Sequence, residues 1–172
     1  TIGIGHTRWA THGVPNSINA HPHMDYSNKF VLACNGIIEN YKAIKKLLEK
    51  NNIFSKTDTD TEVLVNLIGY LHSINNTSFE ESVRLALNEV VGAYGILILC
   101  HDEPEKIIAA RNGSPLIVGI GDKEHFIASD TSAVIDFTRN ILFLEDGEIV
   151  EIEKNNYKIK HIDHDEIVNK KI

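Results

Sequence analysis

The sequence is poor in basic residues, in cysteine and in long apolar runs, and each shortage excludes a class of protein. Its 17 Lys and Arg stand against 24 Asp and Glu, a formal charge of -7, so we expect no basic surface for nucleic acid or anionic lipid. The longest apolar stretch, residues 96–100 with their flanks, is far shorter than the roughly 20 residues that cross a bilayer. No signal-peptide pattern opens the chain. Cys34 and Cys100 end apolar runs, which favours reduced thiols in a cytoplasmic protein over a disulfide framework.

The apolar pattern alternates between a period of two and one of about 3.6, with no repeat or linker. It predicts a strand over 29–34 that ends at Asn35-Gly36, and helices over 39–50, from about Thr61, and from Ser78 through Val91. Ile44, Leu47 and Leu48 share a face of the first helix, and Thr59 or Asp60 can cap the second. Later strands are predicted at 94–100, 106–110, 116–120, 126–128, 141–144 and 149–152. Asp146-Gly147 predicts a hairpin between the last two.

Helices followed by a long run of strands do not fit a doubly wound parallel sheet. They favour an α+β fold with mostly antiparallel strands. The strand near 95–100 is apolar on both sides and must therefore be covered on both faces. Two stacked sheets flanked by helices would cover it, and the 172 residues, 42% of them hydrophobic, are sufficient for one domain with one sizeable core.

Several polar residues near predicted strand ends are candidates for a site. Arg8 ends a Gly-rich predicted strand, where its guanidinium could bind a carboxylate; a surface salt bridge is the alternative. Trp9 is a candidate gate or stacking surface, or simply a packed side chain. Asn35 and Gly36 offer a side-chain amide and a backbone N–H, the donor pair an oxyanion needs, or else a hairpin turn. Asp60 could pair with an ammonium group or cap the following helix.

Other motifs favour structural interpretations. His21-Pro22-His23 lacks a cysteine or carboxylate cluster at ligand spacing, so a proline-containing loop is preferred to a metal site. Gly3-x-Gly5 and Gly119-x-Gly121 complete neither the dinucleotide fingerprint nor a Walker sequence. Cys34 precedes Asn35 but has no histidine at a fixed offset, which favours a small buried hydrophobe over a nucleophile. We predict no metal and no cofactor.

In combination the motifs resemble the N-terminal glutamine amidotransferase domain of the glutamine:fructose-6-phosphate aminotransferases, also called glucosamine-6-phosphate synthases. Sister amidotransferases share the Asn-Gly pair but differ around Arg8-Trp9 and Ile37-Ile38. The matching blocks come in the family's order and cover most of the chain: 5–13, 19–23, 34–40, 59–63, 92–95, 111–116 and 126–130.

This resemblance implies a four-layer αββα sandwich of the N-terminal nucleophile hydrolase class. In the family an N-terminal cysteine attacks the glutamine side-chain amide, with its own α-amine as base, and ammonia leaves before glutamate. Carried onto this sequence, Asn35 and Gly36 would form the oxyanion hole, and Trp9 would gate the route by which ammonia leaves.

The same resemblance assigns the substrate-binding residues. Arg8 would hold the α-carboxylate of glutamine, with Thr11 and His12 lining the same loop. Asp60 would take the α-ammonium group. L-glutamine and L-glutamate are therefore the expected small-molecule partners.

The sequence departs from the family in two ways. It begins at Thr1, inside what resembles an interior strand, so the first strand, the first helix and the nucleophilic cysteine are expected to be missing. The sugar isomerase domain, to which the resemblance attributes most of a homodimer interface, is missing too. Thr1 lies too close before Arg8 to replace the cysteine, so this chain by itself should not hydrolyse glutamine. Two alternatives stay open: a catalytically dead domain that binds glutamine or glutamate for regulation, or a sister amidotransferase.

Overall fold

A computed structural model describes residues 2–8, 12–164 and 166–170. The elements are β1 (His23–Met24), β2 (Phe30–Ile38), α1 (Tyr41–Lys50), α2 (Asp60–Asn75), α3 (Phe79–Asn88), β3 (Gly92–Cys100), β4 (Ile107–Asn112), β5 (Ile117–Ile120), β6 (His125–Ala128), a 3-10 helix (Thr131–Ala133), β7 (Ile141–Phe143), β8 (Glu148–Glu153) and β9 (Asn156–His161). The strands form a six-stranded sheet in the order β1-β2-β3-β4-β8-β9 and a three-stranded sheet in the order β6-β5-β7. Each pairing between these strands is antiparallel.

The six-stranded sheet is buried on both faces, as the apolar character of its central strand predicts. In β4, Ile108 and Ala110 belong to the core beneath the helices. Ala109, between them, belongs to a second core with Val118 and Leu142 of the small sheet. Successive side chains of a strand point to opposite faces, so one strand serves both cores. The predicted α+β sandwich of two antiparallel sheets is confirmed.

The helices begin close to the predicted positions, but two details differ. In α1, Ile44 and Leu48 are buried while Leu47 is 45% exposed, so Leu47 does not join the buried face. Helix α3 ends at Asn88, before Val90 and Val91. Val91 instead exchanges hydrogen bonds with residues 39 and 40, because the chain there turns into β3. None of the helices in the described residues is long and apolar enough to cross a bilayer.

Helix α2 is more deeply buried than one amphipathic face requires. Every residue from Asp60 to Gly69 is buried, since the helix lies between α1, α3 and the sheet. The Thr59 hydroxyl caps it by accepting the N–H of Glu62 at 3.2 Å. The cap is therefore Thr59, and the carboxylate of Asp60 has another partner.

The predicted strand end at Asn35-Gly36, its alternative as a hairpin turn, and the predicted hairpin at Asp146-Gly147 are all wrong. Asn35-Gly36 lies inside β2, which continues to Ile38 and pairs with β3 throughout. Asp146-Gly147 joins β7 of the small sheet to β8 of the large one, so it connects two layers instead of two paired strands. The hairpin of this region is β8–β9, and the pattern did not predict β9.

The N-terminal segment also differs from the prediction. Residues 2–8 form no strand. Gly5 and His6 instead border a cavity of about 290 Å³ that is also lined by Leu97 of the large sheet and Leu116 and Ile127 near the small one. The segment therefore lies along the opening between the two sheets.

Candidate functional site

The structure brings five of the predicted site residues to one cavity of about 230 Å³. They come from three separate parts of the chain: the N-terminal segment, the end of β2 and the start of α2. The cavity lining includes Arg8, His12, Asn35, Gly36 and Asp60. Trp9 and Thr11 lie outside the described residues.

Asn35 and Gly36 occupy adjacent positions of β2, opposite Gly95 and Tyr94 of β3. Both are exposed although they stand next to the buried Cys34. Gly36 has a φ of +135°, and a Cβ built on it would collide with the carbonyl oxygen of Ala93. This site therefore requires glycine for two reasons, backbone conformation and close strand contact.

Asp60 presents a buried carboxylate at the N-terminal end of α2. Its residue exposure is 3%. Oδ2 accepts the backbone N–H of Ile38 at 2.7 Å, and Oδ1 lies 3.7 Å from Nδ1 of His12. The N-terminus of a helix carries partial positive charge, which interacts favourably with a carboxylate there. Asp60 thus links the end of β2 to the start of α2.

Arg8 has a strained backbone and a partly engaged guanidinium. Its φ is +52°, a left-handed conformation that non-glycine residues adopt mostly where the surrounding structure enforces it. Its Nη2 donates to the carbonyl of His12 at 2.7 Å, and Nη1 donates to that of Val14 at 3.2 Å. Nη2 also donates to the carbonyl of Gly13 at 3.3 Å. A guanidinium has five N–H donors, so beyond these three bonds two donors remain for a carboxylate.

The remaining candidates have structural explanations. Cys34 and Cys100 are both free and buried, and burial raises the pKa of the Cys34 thiol to about 12, which makes it a poor nucleophile. His23 Nε2 lies 3.1 Å from the Thr59 hydroxyl, and His21 stacks on His6 at 4.6 Å. Across the described ranges, no group of three or more His, Cys, Asp or Glu residues could hold a metal ion.

Comparison with known proteins identifies the family. Residues 6–136 match the family described as a glutamine amidotransferase domain, which is more than half of the chain. The chain belongs to the glutamine amidotransferase domain family.

Individual relatives agree with this assignment. The glutamine–fructose-6-phosphate aminotransferase [isomerizing] of Bacteroides thetaiotaomicron is 52% identical over 95% of this chain and 26% of its own length. The enzyme of the same name from Thermococcus kodakarensis is 48% identical over 99% of this chain and 28% of its own length. The chain therefore spans about a quarter of the length of these curated relatives.

Solved structures agree on the fold. Glutamine phosphoribosylpyrophosphate amidotransferase from B. subtilis, complexed with ADP and GMP, superimposes with a TM-score of 0.77 at 27% identity. The match covers 94% of this chain and 35% of that one. The amidotransferase domain thus has the predicted fold of the N-terminal nucleophile hydrolase class.

Sequence reasoning missed one residue of this amidotransferase domain, His6. Its Nε2 lies 2.6 Å from Oδ1 of Asn35, and its Nδ1 accepts the backbone N–H of Arg8 at 2.9 Å. The only sequence signal was its place in the run 5–13, two residues before Arg8. That spacing does not reveal a contact with a strand 29 residues away.

Proposed function

We propose that this chain is the glutaminase half of a glutamine:fructose-6-phosphate aminotransferase. In this proposal the domain binds L-glutamine, and water converts its side-chain amide to the carboxylate of glutamate and releases ammonia. The larger protein would use that ammonia to form glucosamine 6-phosphate from fructose 6-phosphate. About 50% identity to enzymes of this name over nearly all of the chain supports the proposal.

The observation that carries it is the set of charges and donors around one cavity. Free glutamine has an α-carboxylate, an α-ammonium group and a neutral amide. The cavity offers a guanidinium from Arg8, a buried carboxylate from Asp60, and the Asn35-Gly36 pair. Arg8 could bind the α-carboxylate and Asp60 the α-ammonium group. Each pair joins opposite charges, which gives a strong charge-assisted hydrogen bond. This combination favours an amino acid over a sugar or a nucleotide as the ligand.

Asn35 and Gly36 would act on the amide carbonyl. Attack on that carbonyl places negative charge on its oxygen, which a side-chain N–H and a backbone N–H stabilise most effectively when they are already in position. Pairing with β3, Asn35 opposite Gly95 and Gly36 opposite Tyr94, supplies a rigid base for the pair. Removal of one such donor typically lowers kcat by about 10²- to 10³-fold.

The nucleophile is proposed to come from outside the 172 residues, as the family resemblance implies. Cys34 and Cys100 are buried, and Cys34 has a raised pKa, so neither suits the role. The sugar isomerase half and the homodimer it would form are likewise assigned to the natural full-length protein. Reading the gene upstream of Thr1 and determining the mature N-terminal residue tests this step.

The deciding experiment supplies the natural full-length protein with glutamine and fructose 6-phosphate and measures glutamate and glucosamine 6-phosphate. We expect equal amounts of both products, and a fall in kcat of about 10²-fold or more in Asn35→Ala. Asn155→Ala, an exposed position in the β8–β9 turn, is the matched control.

Two other outcomes would identify the alternatives. Glutamate formation without glucosamine 6-phosphate would indicate a sister amidotransferase with another ammonia acceptor. Glutamate binding by the natural full-length protein without any hydrolysis of glutamine would indicate a regulatory binding domain. The 172-residue chain alone is expected to bind L-glutamate without hydrolysing glutamine.

A further inference from the structure

His6 makes two ring hydrogen bonds that determine where its proton lies. The backbone N–H of Arg8 reaches Nδ1 at 2.9 Å. A backbone N–H can only donate, so Nδ1 must present a lone pair. In the neutral ring the proton is then on Nε2, which lies 2.6 Å from Oδ1 of Asn35. His6 therefore donates to Asn35 while accepting from Arg8.

This bond selects one orientation of the Asn35 carboxamide. The side chain has an acceptor end, Oδ1, and a donor end, Nδ2, and rotation by half a turn exchanges them. With Oδ1 held by His6, the N–H groups are left for the cavity that Asn35 lines. In the reverse orientation Oδ1 would face the substrate oxygen. The negative charge that develops on that oxygen would then be repelled by Oδ1.

Neighbouring rings hold His6 itself in place. Its ring stacks on His21 with centroids 4.6 Å apart and an interplanar angle of 25°. His21 Nδ1 accepts the backbone N–H of Cys34 at 3.4 Å, one position before Asn35. His21 also contacts the edge of His23. The stack thus ties the segment before Arg8 to the strand that carries Asn35.

The same ring supports the strained backbone of Arg8. The φ of +52° at Arg8 is unfavourable for a side chain with a Cβ, and the bond to Nδ1 of His6 is one of the contacts that offsets it. The backbone of Arg8 and the carboxamide of Asn35 are therefore held by the same imidazole.

We propose that His6 is a positioning residue for glutamine hydrolysis, which acts by fixing the Asn35 carboxamide with its N–H groups toward the substrate oxygen. The inference rests on the proposed function, because it needs Asn35 to be an oxyanion donor. His6 itself neither contacts the reacting atoms nor transfers a proton in this scheme.

The test compares kcat and KM for glutamine hydrolysis by the natural full-length protein and its variants. His6→Phe keeps an aromatic ring for the stack on His21 but removes both nitrogen contacts. We expect kcat to fall about tenfold or more, less than the loss from Asn35→Ala. His6→Gln retains a donor and an acceptor and should recover part of kcat. His101→Phe changes a histidine whose side chain is 82% exposed and should leave kcat unchanged.

The double variant separates positioning from general structural damage. If His6 acts through Asn35, His6→Phe should lower kcat less than about twofold when Asn35 is already alanine, since coupled residues are not additive. Multiplication of the two losses would overturn the inference, as would a kcat for His6→Phe within about twofold of the parent.

A second measurement does not depend on activity. A long-range 15N–1H NMR spectrum of the 172-residue chain, recorded above the ordinary histidine pKa, should show the proton of the His6 ring on Nε2. A proton on Nδ1 would overturn the inference while leaving the proposed function intact. Absence of glutamine hydrolysis by the unsubstituted full-length protein would overturn both.

Discussion

At the scale of single residues, Asp60 divides its two carboxylate oxygens between the fold and the cavity. Oδ2 accepts the N–H of Ile38, whereas the described contact of Oδ1 is His12 at 3.7 Å. Sequence alone left helix capping and ammonium binding as alternatives for Asp60. Because Thr59 is the observed cap, the capping explanation does not account for this carboxylate.

Asp60→Asn keeps an oxygen for Ile38 but removes the charge that a glutamate α-ammonium group would need. Hydrogen bonds to charged groups contribute about 1.5–3 kcal/mol, so we expect L-glutamate to bind the full-length protein at least about tenfold more weakly. Isothermal titration calorimetry measures this directly. Asp122→Asn makes the same charge change at an exposed loop position and should bind normally. Equal affinities for the two variants would remove Asp60 from the site.

His21, which lies close to the same cavity, makes the free energy of unfolding depend on pH. Burial, and then the nearby charges of His6, His23 and Arg8, lower its pKa from 6.5 to about 4. The unfolded chain takes up this proton at a higher pH than the folded protein does, so acidification from pH 6.5 towards 4 favours unfolding. Urea unfolding across that range should show a smaller loss of stability in His21→Gln than in the parent. His101→Gln is the exposed control, and an unchanged pH dependence in His21→Gln would contradict this prediction.

At the scale of elements, periodicity predicted most helices and strands but not which apolar residue is covered. Ile44, Leu47 and Leu48 are all compatible with one helical face. Only the position of α2 beside α1 decides that Leu48 is 1% exposed and Leu47 is 45% exposed. Such a distinction depends on tertiary packing, which the sequence of one helix does not contain.

The pair Leu48→Ala and Leu47→Ala tests this assignment within a single helix. We expect Leu48→Ala to lower the free energy of unfolding by about 2–5 kcal/mol, as for other large-to-small changes in a core. Leu47→Ala should change it by less than about 0.5 kcal/mol, as for most surface positions. Both values come from urea unfolding followed by circular dichroism. Similar losses in the two variants would mean that α1 packs with a different face.

The two Gly-containing dipeptides show the same limit for turns. Asn35-Gly36 and Asp146-Gly147 both match hairpin sequences, yet one lies within a strand and the other connects two sheets. Both glycines have a positive φ, +135° at Gly36 and +81° at Gly147. A positive φ serves turns, layer crossings and close strand contacts equally, so the dipeptide alone does not distinguish among them.

At the scale of the whole molecule, the layered α+β architecture could be predicted because the central strand is apolar on both sides. The site could be predicted only in part. Arg8, Asn35 and Asp60 were candidates by residue type, but each had a structural explanation when taken alone. They meet at one cavity because the fold brings the N-terminal segment, β2 and α2 together. The contact between His6 and Asn35 was not predicted for the same reason, since it joins two distant parts of the chain.

The shared sheet also predicts how the molecule unfolds. Leu64 lies in the core beneath the helices and Leu142 in the core between the sheets, and the alternating residues of β4 belong to both. Loss of either core would expose one face of the same sheet, so the two cores should unfold together. We expect Leu64→Ala and Leu142→Ala each to lower the stability of one cooperative transition by about 2–5 kcal/mol. Phe143→Ala, a neighbouring position in β7 that is 61% exposed, should have little effect. Urea unfolding followed in parallel by the backbone amide NMR signals of Leu64 and Leu142 tests this, and separate transitions for the two residues would show that the cores unfold independently.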